Sequence, residues 1–106
     1  MTLPKNRRPT PPGEILVRQF LAPLGVSLTD FADRIGVTRA RLSEIVNGRR
    51  GVTPDTALRL GRVLGTSPEF WLNLQRNVDL WDARHSPNAV QISRLKPVAQ
   101  NRAIPA

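Results

Sequence analysis

The sequence contains no cysteine and only one histidine. Without cysteine the chain can form neither a disulfide nor a thiolate metal site, and this composition is compatible with a reducing cytoplasm. No apolar run approaches the length of a membrane span, and the basic N-terminus is not followed by the apolar segment of a secretory signal. These absences predict a soluble cytoplasmic protein.

The residue combinations that catalysis requires are also missing. No glycine-rich phosphate loop precedes a helix with a lysine, and no spacing of side chains suits a metal ion. Ser27, Ser43 and Ser67 have no base in a local pattern, and His85 fits a solvent-exposed helix end. The sequence therefore predicts a protein that is not an enzyme and that holds no cofactor or metal.

Positive charge is abundant, with 16 Lys and Arg against 8 Asp and Glu in 106 residues, which gives a net charge of +8. That length corresponds to one domain with a single modest core. A basic excess favours a polyanionic partner, although charge alone is a weak argument. Its distribution is more informative, because residues 39–50 contain four arginines and one acid.

A helix-turn-helix is predicted between Ser27 and Gly51. Ser27 is a suitable N-cap for a first helix over 28–35, Gly36 can end that helix, and Thr38 can cap a second helix over 39–47. Four apolar residues of the first helix recur at i, i+3, i+4 and i+7: Leu28, Phe31, Ala32 and Ile35. A second helix with a polar outer face suits the major groove of DNA.

Nine residues form the candidate DNA-binding site: Thr38, Arg39, Ala40, Arg41, Ser43, Glu44, Asn47, Arg49 and Arg50. Arg39, Ser43 and Glu44 are side chains of the kind that contact base edges, whereas the residues at the two helix ends would meet phosphates. The competing interpretation is an ordinary surface helix pair with a solvated charged face. The Gly36 turn, the Thr38 cap and the four arginines favour the DNA interpretation.

The flanking segments have their own signals. A first helix should begin at Thr10 or Pro12 and end at Pro23 and Gly25, and two more should begin after the N-caps Thr53 and Ser67. We interpret residues 1–11 as a basic proline-rich arm, either disordered or lying along DNA, and residues 85–106 as a basic tail. The alternation over 90–93 allows a short strand.

The last long helix, over about 68–84, carries more apolar surface than one covered face requires. Trp71, Leu74, Val78 and Trp81 share one side of it. This excess suggests a homodimer in which a second chain covers that side. The alternative is a single well-packed core, in which tryptophan is also common.

The chain resembles the Xre/Cro/C1-type helix-turn-helix proteins and, among them, the HigA-type antitoxins of bacterial toxin–antitoxin modules. PGEIL, NGRRG and TSPEFWLNLQ carry this resemblance, which extends from about Arg8 to Arg84. It implies an all-α, five-helix lambda-repressor-like bundle over residues 12–84, with flexible basic termini. It also implies that Thr38 and Asn47 contact phosphates and that Arg41 contacts phosphate or base. Four residues would then face the bases: Arg39, Ala40, Ser43 and Glu44.

The function implied by this resemblance is that of a dimeric antitoxin. Such a protein would neutralise a HigB/RelE-like mRNA endonuclease toxin and repress its own operon by binding operator DNA. Two other hypotheses remain open: a solitary Xre-family regulator without a toxin, and a protein-interaction module that has lost DNA affinity. If Glu44 pairs with Arg41 on the same helix, Glu44 is not expected to contact a base.

Overall fold

The computed structural model describes residues 6–98, which form six helices and no strand. The helices are α1 (Pro12–Leu24), α2 (Leu28–Ile35), α3 (Arg39–Val46), α4 (Pro54–Leu64), α5 (Pro68–Arg84) and α6 (Ala89–Ser93). The predicted all-α bundle is confirmed, and α6 adds a short helix after its five predicted helices. The predictions for residues 1–5 and 99–106 lie outside the described residues.

All four predicted N-caps are present. Ser27 Oγ accepts a hydrogen bond from Asp30 N at 3.1 Å, and Thr38 Oγ1 accepts one from Arg41 N at 3.1 Å. Thr53 and Ser67 cap α4 and α5 in the same way. Each cap satisfies a backbone N–H that the helix leaves unpaired, and such caps typically contribute about 1 kcal/mol.

The turn between α2 and α3 depends on a left-handed residue. Gly36 has φ +74°, and its N–H donates to Asp33 O at 3.2 Å. A side chain is strained at this φ, so glycine is the residue that ends α2 without penalty. Val37 then packs against the core and leads directly into the Thr38 cap.

Helix α1 is not a uniform α-helix. Its middle, Leu16–Leu21, is π-helical, and Ala22 N–H donates to Val17 O, five residues back. The prediction that Pro23 and Gly25 together end this helix is confirmed, because its last residue is Leu24 and the left-handed Gly25 is its C-cap. Proline is tolerated in this last turn because Gly25 N–H still closes the helix by donating to Ala22 O.

The core lies between α5 and the other helices, and Trp71 is at its centre. This tryptophan is 0 % exposed, and its Nε1 donates to Thr66 Oγ1 at 2.6 Å. Phe70 and Phe20 contact its ring, with centroids 5.0 and 5.5 Å away. A buried indole whose N–H is paired combines a large apolar contribution with no unsatisfied donor.

The predicted dimer face is therefore largely part of the core of the chain itself. Trp71, Leu74 and Val78 are 0 %, 6 % and 3 % exposed, because α1 and α4 pack on this side of α5. A second chain cannot cover residues that their own chain already buries. Trp81 is half-buried and stacks on His85, with ring centroids 3.9 Å apart.

The short strand that the alternation over 90–93 allowed is not formed, since these residues lie in α6. Ile92 N–H donates to Asn88 O at 3.0 Å, which is a helical hydrogen bond. A single chain segment of this kind has no strand to pair with, so local bonds satisfy its backbone instead. Val90 and Ile92 are left 56 % and 57 % exposed.

Within residues 6–98, no single helix has both the length and the apolar character needed to cross a membrane. One bent pair, Pro12–Leu24 with Leu28–Ile35, meets those two requirements only when its members are taken together, and the two helices are bent by 105°.

Candidate nucleic-acid interface

Helix α3 has one face in the core and the opposite face in solvent. Leu42 and Ile45 are 0 % and 2 % exposed, and they fix the helix against α1 and α2. With a period of 3.6 residues, the positions of α3 on the side opposite Leu42 and Ile45 point outward. Its polar outer face is thus held rigidly in place by its apolar inner face.

Eight of the nine predicted DNA-binding residues lie together on this exposed side. Six are exposed: Thr38, Arg39, Ala40, Asn47, Arg49 and Arg50. Ser43 and Glu44 are half-buried beside them. Ala40, with its short side chain, leaves the middle of this face open to close approach, which suits contact with a flat partner such as a base edge.

Side-chain hydrogen bonds order the outer face before any partner is bound. Arg39 Nε donates to Thr29 Oγ1 of α2 at 3.1 Å, and Asn47 Nδ2 donates to Ser43 Oγ at 3.3 Å. Both bonds are solvent-exposed and join neutral acceptors, so a partner of higher charge could replace them at modest cost.

Glu44 pairs with Arg50 and not with Arg41. The Arg50 Nη2 atom lies 3.5 Å from Glu44 Oε2, and the backbone N–H of Arg49 donates to Glu44 O at 2.8 Å. Arg50, in the loop that follows α3, therefore partly neutralises the Glu44 carboxylate, whereas the Arg49 bond goes to the backbone carbonyl. Pairing with Arg41, which would have taken Glu44 away from the bases, does not occur.

Arg41 is the predicted site residue that the structure places elsewhere. Its Nη2 atom donates to Thr56 Oγ1 at 3.1 Å and lies 3.6 Å from Asp55 Oδ2, both on α4. Its side chain is only 33 % exposed, and its Nε atom is buried with no hydrogen-bond partner among residues 6–98. Arg41 thus ties α3 to α4 and does not belong to the exposed face.

Asp55 and Arg59 complete this connection, and the sequence did not identify them as part of the site. Arg59 Nε donates to Asp55 Oδ2 at 2.9 Å, and its Nη1 atom donates to Ile35 O at 2.9 Å, at the end of α2. The hydrogen bond from Arg59, with smaller effects of Arg59 and Arg41 charge, lowers the pKa of Asp55. The i,i+4 spacing of Asp55 and Arg59 was a visible signal of their pairing, whereas the contact with Ile35 was not.

A helix-turn-helix family model matches residues 17–71 of this chain, which is the segment from the middle of α1 to the start of α5. The chain belongs to the Xre-like helix-turn-helix family. Among the curated relatives of this helix-turn-helix chain is antitoxin HigA-1 of Vibrio cholerae, 46 % identical over 81 residues that cover 76 % of this chain and 75 % of that protein. The HigA resemblance predicted from the sequence is thereby confirmed.

Two further proteins, one compared by sequence and one by structure, are similar to this chain. A protein of Haemophilus influenzae described as an uncharacterized HTH-type transcriptional regulator is 44 % identical over 93 residues, 87 % of each chain. Among solved structures, Pseudomonas aeruginosa antitoxin HigA with the higBA promoter superposes with a TM-score of 0.79 and 38 % identity, covering 87 % of this chain and 100 % of that one. The chain is a HigA-like helix-turn-helix protein of the regulator and antitoxin type.

Proposed function

We propose that this protein binds operator DNA in its own promoter and represses its operon, and that it is the antitoxin of a type II toxin–antitoxin module. The observation that carries the DNA-binding part is the exposed, pre-ordered outer face of α3, with eight predicted contact residues on one side of the chain. The antitoxin part is supported by likeness to proteins described as HigA antitoxins, one of them seen with its promoter.

Each residue of the site has a role in this proposal. Arg39, Ala40, Ser43 and Glu44 face the bases, and an arginine there can pair with guanine O6 and N7 while Glu44 accepts from cytosine N4. Thr38, Asn47, Arg49 and Arg50 meet the phosphates at the two ends of α3. Arg41 acts as a positioning residue, because its guanidinium is engaged by Thr56 and Asp55.

A homodimer remains part of the proposal, with a different contact surface from the one the sequence suggested. Two copies of α3 related by a two-fold axis can address two half-sites about one helical turn apart. The exposed apolar side chains of α5, of α6 and of the residues just after α6 are candidates for the contact, and they are Leu80, Val90, Ile92, Leu95 and Val98. We expect sedimentation at micromolar concentration to give twice the chain mass, and Ile92→Asp to shift the protein towards a monomer.

The alternative is a solitary Xre-family regulator without a toxin. It is supported by likeness to the Haemophilus influenzae protein described as an uncharacterized regulator, whose sequence identity to this chain is close to that of antitoxin HigA-1. A co-expression pull-down separates the two. The tagged chain is produced with the product of the small reading frame beside its gene, and co-purification and rescue of growth are scored. Both occur for an antitoxin, whereas a neighbour that is neither bound nor toxic contradicts the toxin part of the proposal and leaves the regulator.

A further inference from the structure

The segment before α1 is held against the C-terminal part of α5. Arg8 donates from Nε and Nη2 to the two carboxylate oxygens of Asp82 on α5, at 2.9 and 3.0 Å. Pro9 is buried, and Pro11 O accepts from Ile15 N at 3.2 Å. A bidentate arginine–carboxylate pair fixes orientation as well as position, so the path of residues 8–11 is defined.

This fixed segment lies beside the C-terminal end of α3. Arg8 lines the same small cleft, of about 40 Å³, as Gly48 and Arg50, which follow α3 directly. The approach is close because Gly13 has no side chain: a Cβ atom there would collide with Ile45 O and with Val46 of α3. The segment therefore leaves the bundle next to the loop that we expect to meet phosphates.

The arginines at this place meet three carboxylates, those of Glu44, Asp79 and Asp82. Arg8 and Arg50 line one cleft although they are more than forty positions apart in the sequence. Their chain neighbours Arg7 and Arg49 are also basic, and residues 6–13 contain no acid. Arg8 pairs with Asp82 and Arg50 with Glu44. Within residues 6–98, Arg7 and Arg49 are exposed and take part in no ion pair, so their charge is available to a partner.

We infer that residues 6–11 form a second DNA-contacting element, in which Arg7 binds a phosphate next to those met by Arg49 and Arg50, and that the Arg8–Asp82 pair holds this element in place. The inference rests on the proposed function, since it extends the same DNA interface. It adds affinity without sequence preference, because phosphate contacts carry no base information. Asp82 is thus a positioning residue for DNA binding, although it is itself an anion.

The opposing explanation is that the Arg8–Asp82 pair only stabilises the bundle. The two explanations predict opposite changes in DNA affinity for Asp82→Asn. Removing an acid from a protein that binds DNA ordinarily strengthens binding through charge alone. If Asp82 orients the arginines, Asp82→Asn must instead weaken binding, even though the net charge becomes more positive.

The test measures affinity for a duplex covering the promoter of its own gene, and for a scrambled duplex, by fluorescence anisotropy over a series of salt concentrations. Each phosphate contact contributes about 0.9 to the slope of log K against log salt and about fivefold in affinity at 0.15 M salt. For each bound protomer, we expect Arg7→Ala to weaken binding to both duplexes by about fivefold and to lower the slope by about one. Asp82→Asn should weaken binding as well and lower the slope.

Two control variants lie on the same helix as Asp82. Arg76 is exposed on α5 and, six residues from Asp82, points to a different side, so Arg76→Ala should leave the slope unchanged. Glu69→Gln makes the same charge change as Asp82→Asn without touching residues 6–11, and should bind DNA as tightly as the wild type or more tightly. Helix content by circular dichroism confirms that each variant is folded.

The outcomes separate the two proposals. Wild-type protein that binds neither duplex contradicts the proposed function and this inference together. Wild-type protein that binds its promoter, with unchanged affinity and salt slope in Arg7→Ala, overturns this inference alone. Tighter binding by Asp82→Asn, matching Glu69→Gln, also overturns it.

Discussion

The arginines around α3 have two distinct roles at the scale of single residues. Arg39 and Arg49 expose their charge to solvent. By contrast, Arg41 binds Thr56 on α4, and Arg59 binds the carbonyl of Ile35 at the end of α2. The exposed group could be predicted from the sequence, because the 3.6-residue period assigns faces locally. The role of Arg41 could not, since its partner Thr56 is fifteen residues away and on another helix.

We predict that Arg41→Ala lowers the free energy of unfolding by about 1–2 kcal/mol, because it removes a hydrogen bond from a charged donor to the buried Thr56 and the packing of its aliphatic stem. Chemical denaturation followed by circular dichroism measures this change. Arg39→Ala is the matched control on the same helix, and its exposed side chain should leave stability within about 0.5 kcal/mol. Equal losses in the two variants would contradict the division of roles.

At the scale of elements, helix boundaries could be predicted from the sequence, whereas helix packing could not. The caps of α2 and α3 were predicted because Ser27 and Thr38 act on N–H groups three residues away. Burial of Trp71 was not, since α5 has apolar residues on several sides and only the packed helices decide which side they cover. The short α6 was missed because five residues carry too little periodicity to distinguish helix from strand.

The crossing of α1 and α3 depends on Gly13, and this gives a prediction about packing. Alanine favours a helix over glycine by about 1 kcal/mol, but here its Cβ would collide with backbone atoms of Ile45 and Val46. Backbone cannot move without displacing α3, so overpacking should dominate. We expect Gly13→Ala to destabilise the protein by about 1–3 kcal/mol in thermal unfolding.

A control for Gly13→Ala is Gln19→Ala, at an exposed position of the same helix. That change should leave the melting temperature nearly unchanged. A melting temperature of Gly13→Ala at or above the wild-type value would show that α1 and α3 are not packed as closely as described.

The whole molecule combines a net charge of +8 with carboxylates that are placed against arginines. Asp55 holds Arg59 and Arg41, and Asp82 holds Arg8 across 74 positions of sequence. The basic excess was evident from composition. The Arg8–Asp82 contact was not, because nothing local relates residues so far apart in the sequence.

These pairs predict an acid sensitivity. Hydrogen bonding to Arg59 lowers the pKa of Asp55, and hydrogen bonding to Arg8 lowers the pKa of Asp82, each from an ordinary value of 3.8. A lowered folded-state pKa means that the stabilisation is present above that ordinary value and is lost as the pH falls through the folded-state pKa. The melting temperature should therefore drop below about pH 4.

The double variant Asp55→Asn with Asp82→Asn tests this assignment by thermal unfolding between about pH 7 and pH 2.5. It should melt at a lower temperature than the wild type at neutral pH and lose less on acidification. An acid-induced fall as large as that of the wild type would assign the effect to other carboxylates.

The central claim is that the outer face of α3 reads a specific DNA sequence. The most direct measurement is a competition anisotropy titration of wild type, Arg39→Ala and Arg62→Ala against the promoter duplex and a scrambled duplex of equal length. We predict that the wild type prefers the promoter duplex, that Arg39→Ala loses about 1–3 kcal/mol of that preference while staying folded, and that Arg62→Ala, exposed on α4, keeps it. Equal affinity of the wild type for both duplexes, or an undiminished preference in Arg39→Ala, would contradict the claim.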